Sequence, residues 1–274
     1  MPILDRFDLT GRTAIVTGAG SNLGREFSLA LAEAGANIVG VGRRPEPLAE
    51  TGAMVEAKGR RYLARPTDVT SSAEVNAMVA EAIAAFGSIE ILVNNAGGGG
   101  AGRGKTLPEL TDEDWHEGID TNLTSAFFCS RAIIDHFVER NYGRIINVTS
   151  GWGYRASRQR FMYPIAKAGV ISLTKSLAMS YARDNIRSTC IAPGAFPHEL
   201  TPELEQRAGM QPAGRFGRMQ EIGPLAVFLA SDAAEYMNGE TVLIDGGAIA
   251  AGLTPAGLAP VFEGEPVLEE GARR

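Results

Sequence analysis

Tyr163 and Lys167 have the residue types and the spacing of a proton-transfer pair. They lie four positions apart in an apolar, helix-periodic segment, so both side chains lie on one helix face about one turn apart. A free tyrosine, with a pKa of about 10, is a poor acid-base catalyst at neutral pH, and a nearby lysine ammonium lowers that pKa. The pair therefore predicts an alcohol–ketone interconversion, although a buried tyrosine beside a lysine is also a common structural arrangement.

A glycine-rich turn follows the first predicted strand, residues 13–17, and opens the first predicted helix, residues 23–34. Glycine is needed where φ is positive and where the backbone approaches a pyrophosphate. The helix N-terminus adds free N–H groups and the positive end of a dipole. The turn therefore predicts a dinucleotide site, to which we assign Gly18, Ser21, Asn22, Leu23 and Gly24.

The end of the second predicted strand indicates which dinucleotide is bound. NAD sites usually place Asp or Glu here to accept from the ribose 2′-hydroxyl, whereas arginine suits a 2′-phosphate. Gly42 supplies no carboxylate, and Arg43 and Arg44 supply cations directly after it. The pattern favours NADP and leaves NAD open, because two solvated arginines before Pro45 would look the same.

Strands and helices alternate along the chain. The predicted strands are residues 13–17, 37–42, 61–65, 89–94, 143–149, 186–192 and 242–244. The predicted helices are residues 23–34, 45–58, 71–85, 115–140, 163–183, 201–208 and 219–231. This order predicts an α/β protein with a doubly wound parallel sheet (Rossmann fold), three α/β/α layers and a single domain. That domain spans residues 1–247, and residues 248–274 are expected to be a C-terminal tail, irregular or packed on a neighbouring subunit.

Composition excludes several classes of protein. The 274 residues are 45% hydrophobic, enough for a sizeable core, and the net charge of −6 argues against binding nucleic acid or an anionic membrane. The two cysteines, Cys129 and Cys190, indicate neither a disulfide framework nor a metal site. Without a signal-peptide pattern or a membrane-spanning run, the expected location is cytoplasmic.

Further motifs follow in order along the chain, and together with the turn and the Tyr–Lys pair they resemble one family. They are Asp68 and Val69 after the third strand, Asn94 to Gly97 at the end of the fourth, Ser150 after the fifth, Pro193 and Gly194 after the sixth, residues 228–232, and Asp245 to Gly247. From about residue 9 to residue 247, the chain resembles the classical short-chain dehydrogenase/reductase family.

The resemblance implies an oxidoreductase that transfers a hydride between a nicotinamide and a small-molecule alcohol or ketone. It implies the catalytic residues Asn122, Ser150, Tyr163 and Lys167, with Ser150 bonding the substrate oxygen and Asn122 holding a relay water. It further implies cofactor contacts from Asp68, Val69, Asn95, Ala96, Gly97, Tyr163, Lys167, Pro193, Gly194 and Phe196. A homotetramer, or at least a dimer, is implied too, since helices 115–140 and 163–183 carry apolar residues on more than one face.

Three positions depart from the family pattern. Asn22 replaces a usual glycine, and asparagine is the commonest other residue in left-handed backbone conformations. His198 stands where relatives often have a threonine that bonds the nicotinamide carboxamide. Pro164 follows the catalytic tyrosine directly, which the first turn of a helix tolerates.

The substrate is indicated mainly by the segment between Ser150 and Tyr163. Trp152 and Tyr154 could cover a ring or an apolar body, and Arg155, Arg158 and Arg160 could bind an anionic group. Alternatively, the arginines serve the surface or a subunit contact. We expect a small anionic hydroxy or keto compound, such as a sugar acid; a 3-oxoacyl-(acyl carrier protein) reductase and a non-catalytic cofactor-binding regulator are the alternatives.

Overall fold

Seven parallel strands form one sheet in the computed structural model of the chain, which describes residues 2–209 and 211–250. The strands are β1 Thr13–Thr17, β2 Asn37–Gly42, β3 Tyr62–Pro66, β4 Ile91–Asn94, β5 Gly143–Val148, β6 Ile186–Pro193 and β7 Thr241–Ile244. Their order is β3-β2-β1-β4-β5-β6-β7, so the chain reverses direction across the sheet between β1 and β4. The carboxyl ends of the strands at such a reversal form a crevice that binds ligands in this architecture.

Helices cover both faces of the sheet. They are α1 Asn22–Glu33, α2 Pro45–Glu56, α3 Ser72–Phe86, α4 Asp112–Ile119, α5 Ser125–Glu139, α6 Met162–Tyr181, α7 Pro202–Gly209 and α8 Gly223–Ala230. The strands β1, β4 and β5 are buried throughout because both of their faces pack against apolar helix residues. The predicted fold class is therefore confirmed: a doubly wound parallel sheet in three α/β/α layers.

Two hydrophobic cores lie on opposite faces of this sheet. Phe27 and Leu31 of α1 belong to the first core, together with residues of α2 and α8. Met78 of α3 and Phe137 of α5 belong to the second. Both cysteines are buried free thiols. None of the helices within residues 2–209 and 211–250 is long and apolar enough to cross a bilayer.

Several predicted boundaries were wrong, each for a local reason. The long helix predicted at 115–140 begins at Asp112, because Thr111 and Asp114 form a capping box. The same segment is not one regular α-helix, since a π-helical turn, Asp120–Thr124, separates α4 from α5. The predicted helix 219–231 is a 3₁₀ turn, Met219–Glu221, followed by α8, whose first turn holds a proline. The strand predicted at 89–94 begins at Ile91. Most of the predicted tail lies outside the described residues.

Candidate active site

A long cleft runs along the carboxyl ends of the central strands, and we divide it into three parts. The outer pocket contains Arg43, Arg44, Asp68 and Val69; the central pocket contains Gly24, Asn95 and Lys167; the inner pocket contains Trp152, Arg155 and Arg160. Gly18 and Gly97 line both the outer and the central pocket, and Ser150 and Tyr163 line both the central and the inner pocket. The pockets are therefore continuous, with Tyr163 between the central and the inner part.

The glycine-rich turn forms a backbone cradle at the junction of the outer and central pockets. Gly18 has a φ of 71°, and a Cβ added there would stand 2.8 Å from the Asn95 amide nitrogen. A Cβ on Gly24 would collide with the Gly18 carbonyl oxygen. Asn22 adopts a φ of 47°, which confirms that asparagine takes the left-handed conformation at this position. The turn is thus closed to side chains while the α1 N-terminus remains open to an anion.

Thr17 joins this turn to the end of β4. Its hydroxyl oxygen accepts hydrogen bonds of 2.9 Å from the backbone N–H groups of both Asn95 and Ala96. The Asn95 side-chain amide in turn donates to the Thr17 carbonyl oxygen at 2.9 Å. These bonds fix the relative positions of two segments that line the central pocket.

The outer pocket combines exposed arginines with the Asp68 carboxylate, which accepts hydrogen bonds from Thr70. Arg43 and Arg44 are exposed at the end of β2, and neither forms an ion pair with a described carboxylate. Hydrogen bonds from Thr70 lower the pKa of Asp68, with a smaller contribution from the Arg43 charge. A Cβ on Gly42 would have Leu48 Cδ2 as its nearest neighbour, at 3.6 Å, so packing does not require glycine there.

Lys167 lies behind Tyr163 and is almost completely buried. The residue is 4% exposed, and its Nζ donates to the Val148 carbonyl oxygen at 2.9 Å. Burial lowers the pKa of Lys167 to about 8, because removal from water disfavours the charged form. Its Nζ lies 5.6 Å from the centre of the Tyr163 ring. Helix α6 begins at Met162, so Pro164 falls in its first turn, which confirms that the proline is accommodated.

Asn122 lies in the π-helical turn, and its side chain bonds to backbone groups of the described residues. Its amide nitrogen donates to the carbonyl oxygens of Gly98, at 2.8 Å, and Gly118, at 2.9 Å, and its oxygen accepts from the Gly98 N–H at 3.1 Å. A Cβ on Gly97 would stand 2.7 Å from the Asn122 oxygen and 3.2 Å from the Lys167 Nζ. Asn122 therefore holds Gly97 and Gly98, which follow β4, next to the Lys167 ammonium. Single π turns in α-helices frequently occur at functional sites.

Ser150 follows β5 and faces the same space as Tyr163. Its hydroxyl oxygen accepts a 3.3 Å hydrogen bond from the Trp152 N–H. Behind it, the Asn94 amide donates to the Asn147 oxygen and the Asn147 amide donates to the Thr174 hydroxyl, both at 2.9 Å. This buried chain joins β4, β5 and α6; Ser150 directly follows β5 after Thr149, and α6 carries Tyr163 and Lys167. Asn147 was missed from the sequence because it reads as an ordinary strand residue.

Cations and aromatic rings alternate at the boundary of the inner pocket. The Arg155 Cζ lies 4.6 Å from the Trp152 ring centre, and the Arg160 Cζ lies 5.5 Å from that centre and 4.6 Å from the Tyr163 ring centre. The Nε atoms of both arginines are buried and have no hydrogen-bond partner in the part of the chain that the structure describes. Among the described residues, no carboxylate pairs with either guanidinium. Burial lowers the pKa of Arg160. Two half-buried guanidinium groups with unpaired Nε–H donors offer hydrogen bonds to an anion.

Other predicted substrate residues lie elsewhere. Tyr154 is 46% exposed, and Arg158 is exposed as well; neither lines the described parts of the cleft. His198 is also exposed, whereas Phe196 lines the inner pocket. Residues missed from the sequence line the inner pocket from distant segments: Leu204, Arg207, Gln211, Phe216, Asp245 and Ile249. No local pattern marks them, because only the fold brings α7 and the segment after β7 to this site.

Known proteins resemble the chain over most of its length. Residues 12–209 match the short chain dehydrogenase family model. The chain is 39% identical over 257 residues to 2-dehydro-3-deoxy-D-gluconate 5-dehydrogenase of Escherichia coli strain K12, covering 90% of this chain and 99% of the relative. It is 36% identical over 242 residues to 3-oxoacyl-(acyl-carrier-protein) reductase of the same strain, covering 86% and 97%.

A solved structure agrees with these sequence relatives. The gluconate 5-dehydrogenase from Burkholderia cenocepacia J2315, crystallised in complex with NADP and tartrate, has a TM-score of 0.83 to this chain. The two are 36% identical, and the match covers 90% of this chain and 99% of that one. The chain therefore belongs to the short-chain dehydrogenase/reductase family and is an oxidoreductase that uses NAD(P).

Proposed function

We propose that this enzyme interconverts a secondary alcohol and a ketone on a small anionic hydroxy or keto compound, with NADP as the preferred cofactor. Two of its relatives are named for sugar acids, so the class of anionic hydroxy and keto compounds to be tested includes them. The observation that carries the proposal is the position of Tyr163 and Ser150, between a backbone cradle and a pocket with unpaired arginines.

The residues of the outer and central pockets fit a nicotinamide dinucleotide. The cradle of Gly18 and Gly24, which a Cβ would fill, suits a pyrophosphate beside Ser21, Asn22 and Leu23. Arg43 and Arg44 would pair with a 2′-phosphate, since Gly42 offers no carboxylate to a 2′-hydroxyl. Asp68 and Val69 would border the adenine. The nicotinamide half of the cofactor would be bordered by Asn95, Ala96, Gly97, Pro193, Gly194 and Phe196. When bound, the nicotinamide supplies the acceptor or donor of the hydride.

The chain's own residues manage the proton. Tyr163 exchanges a proton between its hydroxyl and the substrate oxygen, and Ser150 donates a hydrogen bond to that oxygen. Lys167 supplies a positive charge from its buried position, where low dielectric strengthens its effect. Asn122 keeps Gly97 and Gly98 in place and, as the family resemblance implies, holds a water for proton relay.

Arg155 and Arg160 would hold the anionic group of the substrate. Each has a buried Nε–H without a partner, so an incoming carboxylate satisfies a donor that is otherwise desolvated. A charge-assisted hydrogen bond of this kind contributes about 1.5–3 kcal/mol. Arg160 lies against the Tyr163 ring, which would place the anion close to the reacting carbon.

A second candidate is reduction of a carrier-linked 3-oxoacyl thioester. The 36% identity to a 3-oxoacyl-(acyl-carrier-protein) reductase favours it, and the exposed Arg158 could meet a phosphopantetheine carrier. The two candidate functions differ in the form of substrate that the enzyme accepts. A carrier-linked reductase needs the thioester, whereas the proposed enzyme acts on a free acid.

The test is a screen for cofactor absorbance change with purified full-length protein. Free sugar acids, other hydroxy and keto acids, their neutral amides and a carrier-linked 3-oxoacyl thioester are supplied with NADP(H) and NAD(H). The proposal expects turnover of at least one free acid, and loss of turnover for its amide. Turnover of neutral ketones alone, or equal rates for acid and amide, would contradict it.

A further inference from the structure

The inner pocket is lined mainly by apolar side chains. Its volume is about 910 Å³, enough for a substrate with a body of many atoms. The large apolar residues of the lining come from five separate segments: Trp152, Phe196 with Pro197, Leu204, Phe216 and Ile249. A chain carrying a hydroxyl on nearly every carbon would have to place those hydroxyls against hydrocarbon.

Most polar groups of this pocket already have a partner or a role. The Asp245 carboxylate accepts hydrogen bonds from the N–H groups of Gly247, at 2.9 Å, and Ile249, at 2.8 Å. The Ala195 carbonyl oxygen accepts from the Gly217 N–H at 3.0 Å, which ties the loop after β6 to the segment before α8. Ser150 and Tyr163 face the reacting oxygen. Among the described lining residues, Gln211 is the one neutral amide left for substrate hydroxyls.

The segment after β7 places the apolar side chain of Ile249 close to Ser150 in the inner pocket. The Asp245 bond to the Ile249 N–H fixes this residue. Its Cδ1 would lie 3.3 Å from a Cβ on Gly151, which directly follows Ser150. Hydrocarbon therefore lies next to the position where the reacting carbon must stand.

The charged side chains of the described lining are three arginines and Asp245, whose carboxylate already accepts two hydrogen bonds. Arg155 and Arg160 lie on the Trp152 side, and Arg207 approaches from α7, three residues after Leu204 and on the same helix face. The lining therefore presents cations at its margin and hydrocarbon between them. This arrangement complements a molecule with an anionic end and an apolar body.

We infer that the preferred substrate is an amphiphilic hydroxy or oxo acid, with its anionic group at Arg155 and Arg160 and a hydrocarbon or aromatic body against Trp152, Leu204, Phe216 and Ile249. The inference rests on the proposed function and deepens it: the enzyme departs from relatives named for polyhydroxylated sugar acids. Each buried hydroxyl without a partner weakens binding by about tenfold or more, whereas each buried methylene strengthens it.

The direct test compares matched pairs of oxo acids by calorimetry on NADP-saturated protein, in which an oxo acid binds without turnover. The members of a pair share carbon number and oxo position, and one is hydrocarbon while the other is polyhydroxylated. We expect the hydrocarbon member of the best pair to bind at least about tenfold more tightly, with the more negative heat-capacity change. Equal or tighter binding of the polyhydroxylated members would overturn the inference and leave the proposed function standing. Binding of neutral amides alone, or of no acid, would contradict both.

A variant pair locates the effect in the pocket. Leu204→Gln adds an amide to the lining, and the exposed Leu200, 56% exposed and outside the described lining, provides the control Leu200→Gln. The ratio of kcat/KM for the hydrocarbon acid to that for the polyhydroxylated acid should fall about fivefold or more in Leu204→Gln and stay unchanged in Leu200→Gln. An unchanged ratio in a folded Leu204→Gln protein would overturn the inference.

Discussion

At the scale of single residues, burial decides how Lys167 acts. The side chain approaches Tyr163 only by leaving water, and among the described residues its ammonium makes one hydrogen bond, to the Val148 carbonyl oxygen. This burial disfavours the charge that the proposed mechanism uses, which is why the pKa falls to about 8. Near neutral pH the group is still mostly protonated, so the charge is available without a paired carboxylate.

The first prediction is the titration of Lys167 in the cofactor-free protein. The chain has only four lysines, so NMR of lysine labelled with carbon-13 at Cε, assigned with Lys167→Met, should show a signal titrating near pH 8.

The folded pKa of Lys167 is lower than the unfolded value of 10.5, so the buried charge costs stability below about pH 8, and this cost disappears as pH rises towards 10.5. Wild type should gain about 2 kcal/mol relative to Lys167→Met between about pH 7 and pH 10. A stability difference that does not change with pH would contradict this.

The second prediction concerns the choice of cofactor at the end of β2. Arg43→Ala should raise the KM for NADP(H) by about tenfold or more and leave the KM for NAD(H) unchanged, because only the 2′-phosphate loses a partner. Gly42→Asp should improve the use of NAD(H), since a Cβ at Gly42 has free space up to 3.6 Å. Steady-state kinetics with both cofactors measure this. An enzyme that prefers NAD(H) and is indifferent to Arg43→Ala would rule the assignment out.

At the scale of elements, the π-helical turn between α4 and α5 supports Gly98, which lines the central pocket. The π-helical turn carries Asn122, whose buried side chain makes three hydrogen bonds to the backbone of Gly98 and Gly118. A regular helix would rotate this side chain away from the strip after β4. Through Asn122, the π-helical turn thus connects α4 and α5 to Gly98 at the edge of the cleft.

The third prediction tests this connection. Asn122→Ala leaves buried backbone groups unpaired, so the free energy of unfolding should fall by about 1–3 kcal/mol and amide exchange at Gly98 should accelerate. Thr124→Ala is the control, because its hydroxyl bonds to the Asp120 side chain rather than to the rim. Hydrogen exchange and chemical unfolding measure the two effects. Equal exchange rates at Gly98 in both variants would show that Asn122 does not hold the rim.

Sequence and structure agree where chemistry depends on local spacing. Tyr163 and Lys167 could be predicted from one helical turn, and Asn22 from the backbone conformation that the turn requires. Tyr154 stays a prediction as a substrate residue; it is exposed just after a 3₁₀ turn, Gly151–Gly153, outside the described lining of the cleft. Leu204 and Ile249 were missed because nothing in their own segments indicates a pocket, which only tertiary packing assembles.

At the scale of the whole molecule, apolar residues remain exposed on the outer faces of α5 and α6. Phe127 and Val138 lie on one face of α5, and Ile165 and Met179 on one face of α6, with Met179 84% exposed. We propose that these faces form a subunit interface of a homotetramer, as the family resemblance implies, since exposed apolar side chains on helix faces suit association between subunits.

The fourth prediction is that light scattering gives about four times the 29.0 kDa subunit mass at micromolar concentration. Met179→Glu should reduce this mass, because a carboxylate in the proposed interface would be buried unpaired. Met54→Glu, a change to an exposed residue of α2 on the opposite face, should not. A wild-type monomer would refute the proposed assembly.

The central claim is that the Tyr163 hydroxyl transfers the proton, and Tyr163→Phe tests it most directly. Phenylalanine keeps the ring between Arg160 and Lys167, so fold and cofactor binding should persist. The measurement is kcat with the best free acid from the screen, alongside the dissociation constant for NADPH. We expect kcat to fall by about a hundredfold to ten-thousandfold while the dissociation constant stays within a few fold. A variant that retains most of the wild-type turnover would contradict the account.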